Sequence, residues 1–194
     1  MKYIYITIIA LFSTVCSSQV INLKDWTGDD TVNAYYKDVD NELNQFIGTY
    51  QLISNSGNDE MTIVFKKFTN CYNTEFYQDV LAGEIKFKKD GVLYFDNLNK
   101  INENYSNKYL HDICGNTLMA NQTRPTCDNC LPNQFRANLI YFGRSDNCGG
   151  YVILQKFIEG GQEKMKVSFF FNCMSVTDNV VSYIPGGDYI LIKQ

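Results

Sequence analysis

Few residues in this sequence combine the types and spacings that chemistry requires. His111 is the single histidine and is followed by Asp112; an imidazole beside a carboxylate is the beginning of a general base or an activated nucleophile. The pair lies in an Asn-rich stretch. A Ser–His–Asp or Cys–His set would have to be assembled from that one loop, so His111 reads as a solvated loop histidine. Cys127-Asp128-Asn129-Cys130 is a C-x-x-C, the spacing of thiol oxidoreductases and of half a zinc site. A redox motif of that kind needs a strand-to-helix context, whereas this one lies between Arg124-Pro125 and Leu131-Pro132. A zinc site from Cys114, Cys127, Cys130 and Cys148 would strand Cys173. Asp25, Asp29 and Asp30 lack the D-x-D-x-D-G spacing of a calcium loop, and Gly149-Gly150 and Gly186-Gly187 are too short for a phosphate cradle. Glu42, Glu60, Glu75 and Glu84 are scattered. These residues point to no catalytic group, no metal and no cofactor, and the chain is not expected to be an enzyme.

Composition narrows the partners. With 17 basic and 21 acidic residues the net charge is −4, which attracts neither nucleic acid nor an anionic membrane surface. Aromatic residues make up 14% and prolines number three, favouring strands over disorder. A chain of 194 residues suits one domain that buries roughly two-thirds of its unfolded surface. Lys2, the apolar run 3–12 and the small residues 13–18 read as a secretory signal peptide, too short to span a membrane. Cleavage after Ser18 leaves Gln19 first in a secreted or periplasmic protein. Lipidation at Cys16 is the minor alternative, disfavoured by Ser13 and Val15 where a lipobox has Leu and a small residue. Without Cys16, six cysteines remain, and an even number in an oxidising compartment predicts three disulfides.

The elements that would position any site begin at residues 38–52, DVDNELNQFIGTYQL. Val39, Leu43 and Phe46 form one stripe of a short helix with Asp38 as N-cap. From Phe46 the period changes to two, and Gly48 allows close approach of another backbone. Residues 19–37 are expected as a leader segment packed across the fold. Met61, Ile63 and Phe65 mark a second strand and residues 80–88 a third. A three-residue loop, Lys89-Asp90-Gly91, would set Lys88 opposite Val92, hence Ile85 opposite Phe95 and Phe87 opposite Leu93. Residues 97–134 read as an aperiodic insertion pinned by cysteines, with Cys71, Cys114, Cys127 and Cys130 pairing among themselves in one of three connectivities. After a strand at 135–142, Gly160-Gly161 makes a two-residue turn in which facing residues sum to 321. That register brings Cys148 opposite Cys173 as a disulfide. Residues 189–192 form the last strand.

The run F-I-G-T-Y-Q-L, with Phe46, Gly48 and Tyr50 as its fixed points, resembles the Phe-x-Gly-x-Trp opening of lipocalins and fatty-acid-binding proteins, Tyr50 standing for Trp. The wider pattern of leader, K-D-V-D-N-E-L-N-Q-F-I-G-T-Y, L-A-G-E and closing Y-I-L-I-K-Q resembles an uncharacterised domain family of secreted bacterial proteins. The expected fold is all-β, an antiparallel up-and-down barrel or strongly curved sheet of about eight lipocalin-like strands spanning 38–194. Two functions compete. One is binding of a small apolar ligand inside, with Phe87, Phe95, Val152 and Phe169 as walls; the other is a cell-envelope or extracellular interaction module with a filled core and a contact surface around Tyr105 and Tyr109.

Overall fold

In the computed structural model, which describes residues 19–54, 57–127, 129–143, 148–172 and 183–194, alternation of apolar and polar residues has produced eleven strands. They are β1 (Val20–Asn22), β2 (Tyr35–Lys37), β3 (Gly48–Ile53), β4 (Glu60–Tyr72), β5 (Tyr77–Lys89), β6 (Val92–Asp96), β7 (Ile113–Met119), β8 (Arg136–Tyr141), β9 (Gly149–Glu159), β10 (Gln162–Asn172) and β11 (Gly187–Lys193). Eight of them close an antiparallel barrel in the order β3-β4-β5-β7-β8-β9-β10-β11. The long strand β5 carries three partners in series along one edge: β2 in parallel at Gln78, β7 at Leu81–Gly83, and β6 beyond Lys86. Two seams are short. β5 and β7 register at three positions, and β11 meets β3 at two, Ile192 on Gln51 and Lys193 on Tyr50.

Inward residues fill the barrel. Tyr50, Ile63, Phe65, Ile85, Leu139, Tyr141, Val152, Leu154, Val167, Phe169 and Leu191 are all at most 2% exposed and belong to one core. Leu43 and Phe46 join it. They sit on a 3-10 turn, Glu42–Phe46, with Asn41 in the left-handed region at its start. The expected α-helix is therefore absent, and Val39 is half exposed. Asp38 still receives the backbone N–H groups of Glu42 and Leu43 at 2.7 and 3.0 Å, and Lys67 binds the same carboxylate at 2.6 Å. The leader holds two short strands, and its Leu23, Trp26, Ala34 and Tyr36 pack into the same core.

The β9–β10 hairpin keeps the expected register throughout, from Glu159–Gln162 to Gly149–Asn172. At the β5–β6 hairpin the register differs from expectation. Lys89 faces Val92 and Lys88 faces Leu93 across a two-residue turn, Asp90-Gly91, with both residues at positive φ. A bulge then sets Phe87 opposite Phe95, so Leu93 faces solvent rather than the core. The segment 97–134 is likewise more regular than read. It supplies the barrel strand β7 and two 3-10 turns, Leu98–Asn102 and Lys108–Leu110.

A candidate binding trough on the outer sheet

Side chains alternate across a strand, so the pairings of β8–β11 place their outward residues in a grid. One row runs Gln155, Lys166, Ile190, with Arg136 one position beyond the Ala137–Leu154 pair at its end; the next runs Ile153, Ser168, Asp188; a third runs Ile140, Tyr151, Phe170. Loop residues 120–127 and 129–135 arch over this grid instead of leaving it to solvent. Arg136 holds the loop, its guanidinium donating to the carbonyls of Pro125, Ala120 and Thr123 at 2.7, 3.2 and 2.9 Å. Asn121 donates to the Leu131 carbonyl at 2.9 Å, and the Cys127–Cys130 disulfide closes the tip.

Between loop and sheet lie two recesses. The first, about 390 Å³, is bounded by Arg136, Ile153, Lys166, Ser168, Phe170 and Asp188 under Pro125 and Thr126. The second, about 660 Å³, runs past Gln45, Leu131, Gln134, Phe157, Ile158 and Ile190. Asn129, Gln155 and Lys166 line both, so they form one trough. Inside it Lys166 contacts Asp188 at 2.8 Å, and Ser168 donates to the other oxygen of the same carboxylate at 2.6 Å. These two neighbours hold the Asp188 carboxyl below the usual carboxylate range.

The residues expected to line a ligand cavity are elsewhere. Val152 and Phe169 are packed in the filled interior, and Phe95 leans on Phe87 with ring centroids 6.2 Å apart. Phe87 borders an apolar notch of about 150 Å³ with Leu52, Met61, Pro185 and Tyr189. In the F-x-G-x-Y run, Phe46 and Tyr50 are fully buried, Lys193 lies 5.9 Å above the Tyr50 ring, and Gly48 takes φ +133°. The close neighbour at Gly48 is the Lys193 side chain, 3.1 Å from where a Cβ would stand, not another backbone.

His111 is a correction to the sequence reading. It is fully buried, with Nδ1 2.6 Å from Glu84 Oε1, its ring stacked on Phe68 and met edge-on by Tyr105. Asp112 lies alongside, accepting from Asn97 Nδ2 at 2.9 Å and from the Ile85 N–H at 3.3 Å. Burial, then the nearby Glu84 charge, push the Asp112 carboxyl up to about 7. The turns at 98–102 and 108–110 thus cover the outer face of β4 and β5 with a polar cluster that local sequence could not reveal. Tyr109 accepts from Gln78 Nε2 at 3.1 Å, and Tyr105 packs on His111, so both face the sheet.

Of the four cysteines expected to pair among themselves, one pair forms and the other two do not. Cys127 bonds to Cys130, while Cys71 and Cys114 are free thiols beside one small cluster of Val80 and Ala82. They stand on strands separated by β5, Cys71 opposite Gln78 and Cys114 opposite Ala82. Burial pushes the Cys71 thiol up to about 11 and raises that of Cys114. Cys148 is buried and disulfide-bonded; Cys173, its expected partner, lies outside the described residues. A disulfide suggests an oxidising, non-cytoplasmic compartment. Among the described residues no helix is long and apolar enough to cross a membrane.

The model of a family of unknown function, DUF6705, matches residues 1–194. The chain belongs to that family. No curated protein and no solved structure matches it. The trough residues Arg136, Gln155, Lys166, Ser168 and Asp188 of this DUF6705 chain were not singled out by sequence. The 321 register placed Gln155 beside Lys166 and Ile153 beside Ser168, which is the one signal that pointed toward them.

Proposed function

We propose that this DUF6705 protein is an exported binding module that takes an extended peptide segment along the outer trough, its barrel interior serving as packed core. The observation that carries this reading is the location of space. The interior is filled by side chains at most 2% exposed, while recesses of about 390 and 660 Å³ lie outside, under a loop pinned by Arg136 and a disulfide. Ligand sites of roughly 300–1,000 Å³ are ordinary. Gln155 and Asn129 offer amides that pair with peptide groups, and Phe157, Ile158 and Ile190 offer apolar seats beside them. His111 has a structural role in this reading, and no catalysis is assigned. Export is supported by the leader 1–18 and by the disulfide; intact mass of the secreted protein tests it, with Gln19 expected first.

Binding of a small apolar ligand remains tied to the notch at Phe87, whose volume of about 150 Å³ is below the usual range. Two experiments separate the readings. Selection of a displayed random heptapeptide library on the full-length protein should enrich binders whose synthetic forms lose at least about tenfold affinity, 1.4 kcal/mol, on Ile190→Glu or Gln155→Ala but not on Leu52→Met. Enriched peptides indifferent to the trough changes, or a co-purified apolar small molecule in native mass spectra, would overturn the proposal.

A further inference from the structure

The guanidinium of Arg136 has five N–H donors. Three meet loop carbonyls, whereas Nε is buried without an acceptor, on a side chain only 3% exposed. Among the described residues no carboxylate pairs with it, and burial alone acts on its pKa, lowering it. A buried charge without a counterion is unfavourable. Arg136 nonetheless borders a recess of about 390 Å³ whose described lining carries two cations, Arg136 and Lys166, and one anion, Asp188. Among the described residues the surplus is one positive charge. Lys166 spends one of its three donors on Asp188, at 2.8 Å. Beside these groups Ile153, 4% exposed, and Phe170 supply an apolar wall.

We propose that the Arg136 end of the trough binds a small monocarboxylate bearing an apolar or aromatic body. The inference rests on the trough being a binding site and adds the chemistry of its anchor. The carboxylate meets Lys166 beside the Arg136 guanidinium, and the body lies against Ile153 and Phe170. A monoanion matches the single surplus charge, whereas a dianion would leave one charge uncompensated next to Asp188. A charge-assisted hydrogen bond is roughly twice as strong as a neutral one, so the anchor is the carboxylate and the body adds selectivity.

The test uses nitrogen-15-labelled full-length protein and follows the Arg136 Nε–H resonance, a buried donor, while benzoate is added. Acetate, inorganic phosphate and benzyl alcohol serve as comparison probes. Benzoate is expected to shift that resonance saturably and to bind about tenfold tighter than acetate, a difference of 1.4 kcal/mol, while benzyl alcohol and phosphate leave it in place. Lys166→Met is expected to weaken benzoate at least about fivefold, and Phe170→Ala to bring benzoate near acetate. An unmoved Arg136 resonance at 50-fold the acetate concentration that perturbs bulk shifts, phosphate binding as well as benzoate, or a Lys166→Met variant with unchanged affinity overturns the inference. Because the resonance reports the anchor directly, it can respond while peptide selection fails. In that case the anchor stands and the extended-peptide reading falls; the reverse result removes the anchor alone.

Discussion

Replacing Asp112 by Asn will stabilise the protein at pH 8 and leave it nearly unchanged at pH 4. Asp112 is 3% exposed, and its carboxyl is raised from 3.8 to about 7, first by burial and then by the Glu84 charge. In the unfolded chain it titrates near 3.8, so between these values the folded state holds a proton that the unfolded state has released. A raised folded pKa contributes stability that is complete below the unfolded pKa and is lost as pH climbs through the folded one. At 1.4 kcal/mol per pH unit the span from 3.8 to about 7 corresponds to roughly 4 kcal/mol as a ceiling. Glu84 shares the site, so the step belongs to the pair and will be broader and smaller than for an isolated acid. An Asn keeps an oxygen for the Ile85 N–H and presents an amide where the protonated acid would face Glu84. The gain expected for Asp112→Asn at pH 8 is thus about 1–3 kcal/mol. Urea unfolding from pH 4.5 to 8.5 at fixed salt, followed by the fluorescence of the one tryptophan, Trp26, gives the difference curve. Parallel wild-type and variant curves, or a variant less stable at pH 8, would refute the argument.

Three further outcomes follow from particular contacts. A Cβ at Gly150 would stand 2.1 Å from the Phe170 carbonyl oxygen, backbone that cannot yield without parting β9 and β10; Gly150→Ala should lose about 2–4 kcal/mol in chemical denaturation, and Gly149→Ala, whose nearest atom is 3.5 Å away, under about 1. Phe169→Ala should cost about 3–5 kcal/mol and open a dry cavity, so that benzene raises the melting temperature of the variant and not of the wild type. With Cys71 raised to about 11 and the buried Cys114 thiol raised as well, Ellman's reagent at pH 8 should react slowly with these two thiols in native protein and at once in denaturant; fast native reaction at both would contradict the raised thiol values and the burial of Cys114.

What could be read from sequence was whatever a local rule fixes. Gly160-Gly161 fixes a turn, the turn fixes a register, and alternation carries it eleven residues outward to Gly149 and Asn172. The count of eight barrel strands was likewise legible, but its membership was not. β6 hangs from β5 outside the closed ring, while β7, ICGNTLM, showed no alternation because its outward side is buried too, beneath the turn that carries Tyr109. His111 was misplaced for the same reason. It follows an aperiodic, Asn-rich stretch, and only the fold brings Glu84 and Phe68, 27 and 43 positions away, against its ring. Arg136 joins the trough through the β8–β9 register, which no turn specifies because the connection between those strands is long.

The two short seams divide the barrel wall into leaves that are each continuous in sequence. β3, β4 and β5 with the β6 hairpin occupy residues 48–96, and β7 through β11 occupy residues 113–193. Each leaf completes its own ladders, six registered positions between β3 and β4 and eleven between β9 and β10, before the seams of three and two positions join them. Amide exchange should therefore begin along Leu81–Gly83 and Gln51–Ile192, with each leaf exchanging as a unit. The connection between leaves passes through Glu103 and Asn104, both exposed. A chain interrupted there retains every ladder and every buried partner, so two separately made fragments have what they need to find each other and rebuild the whole.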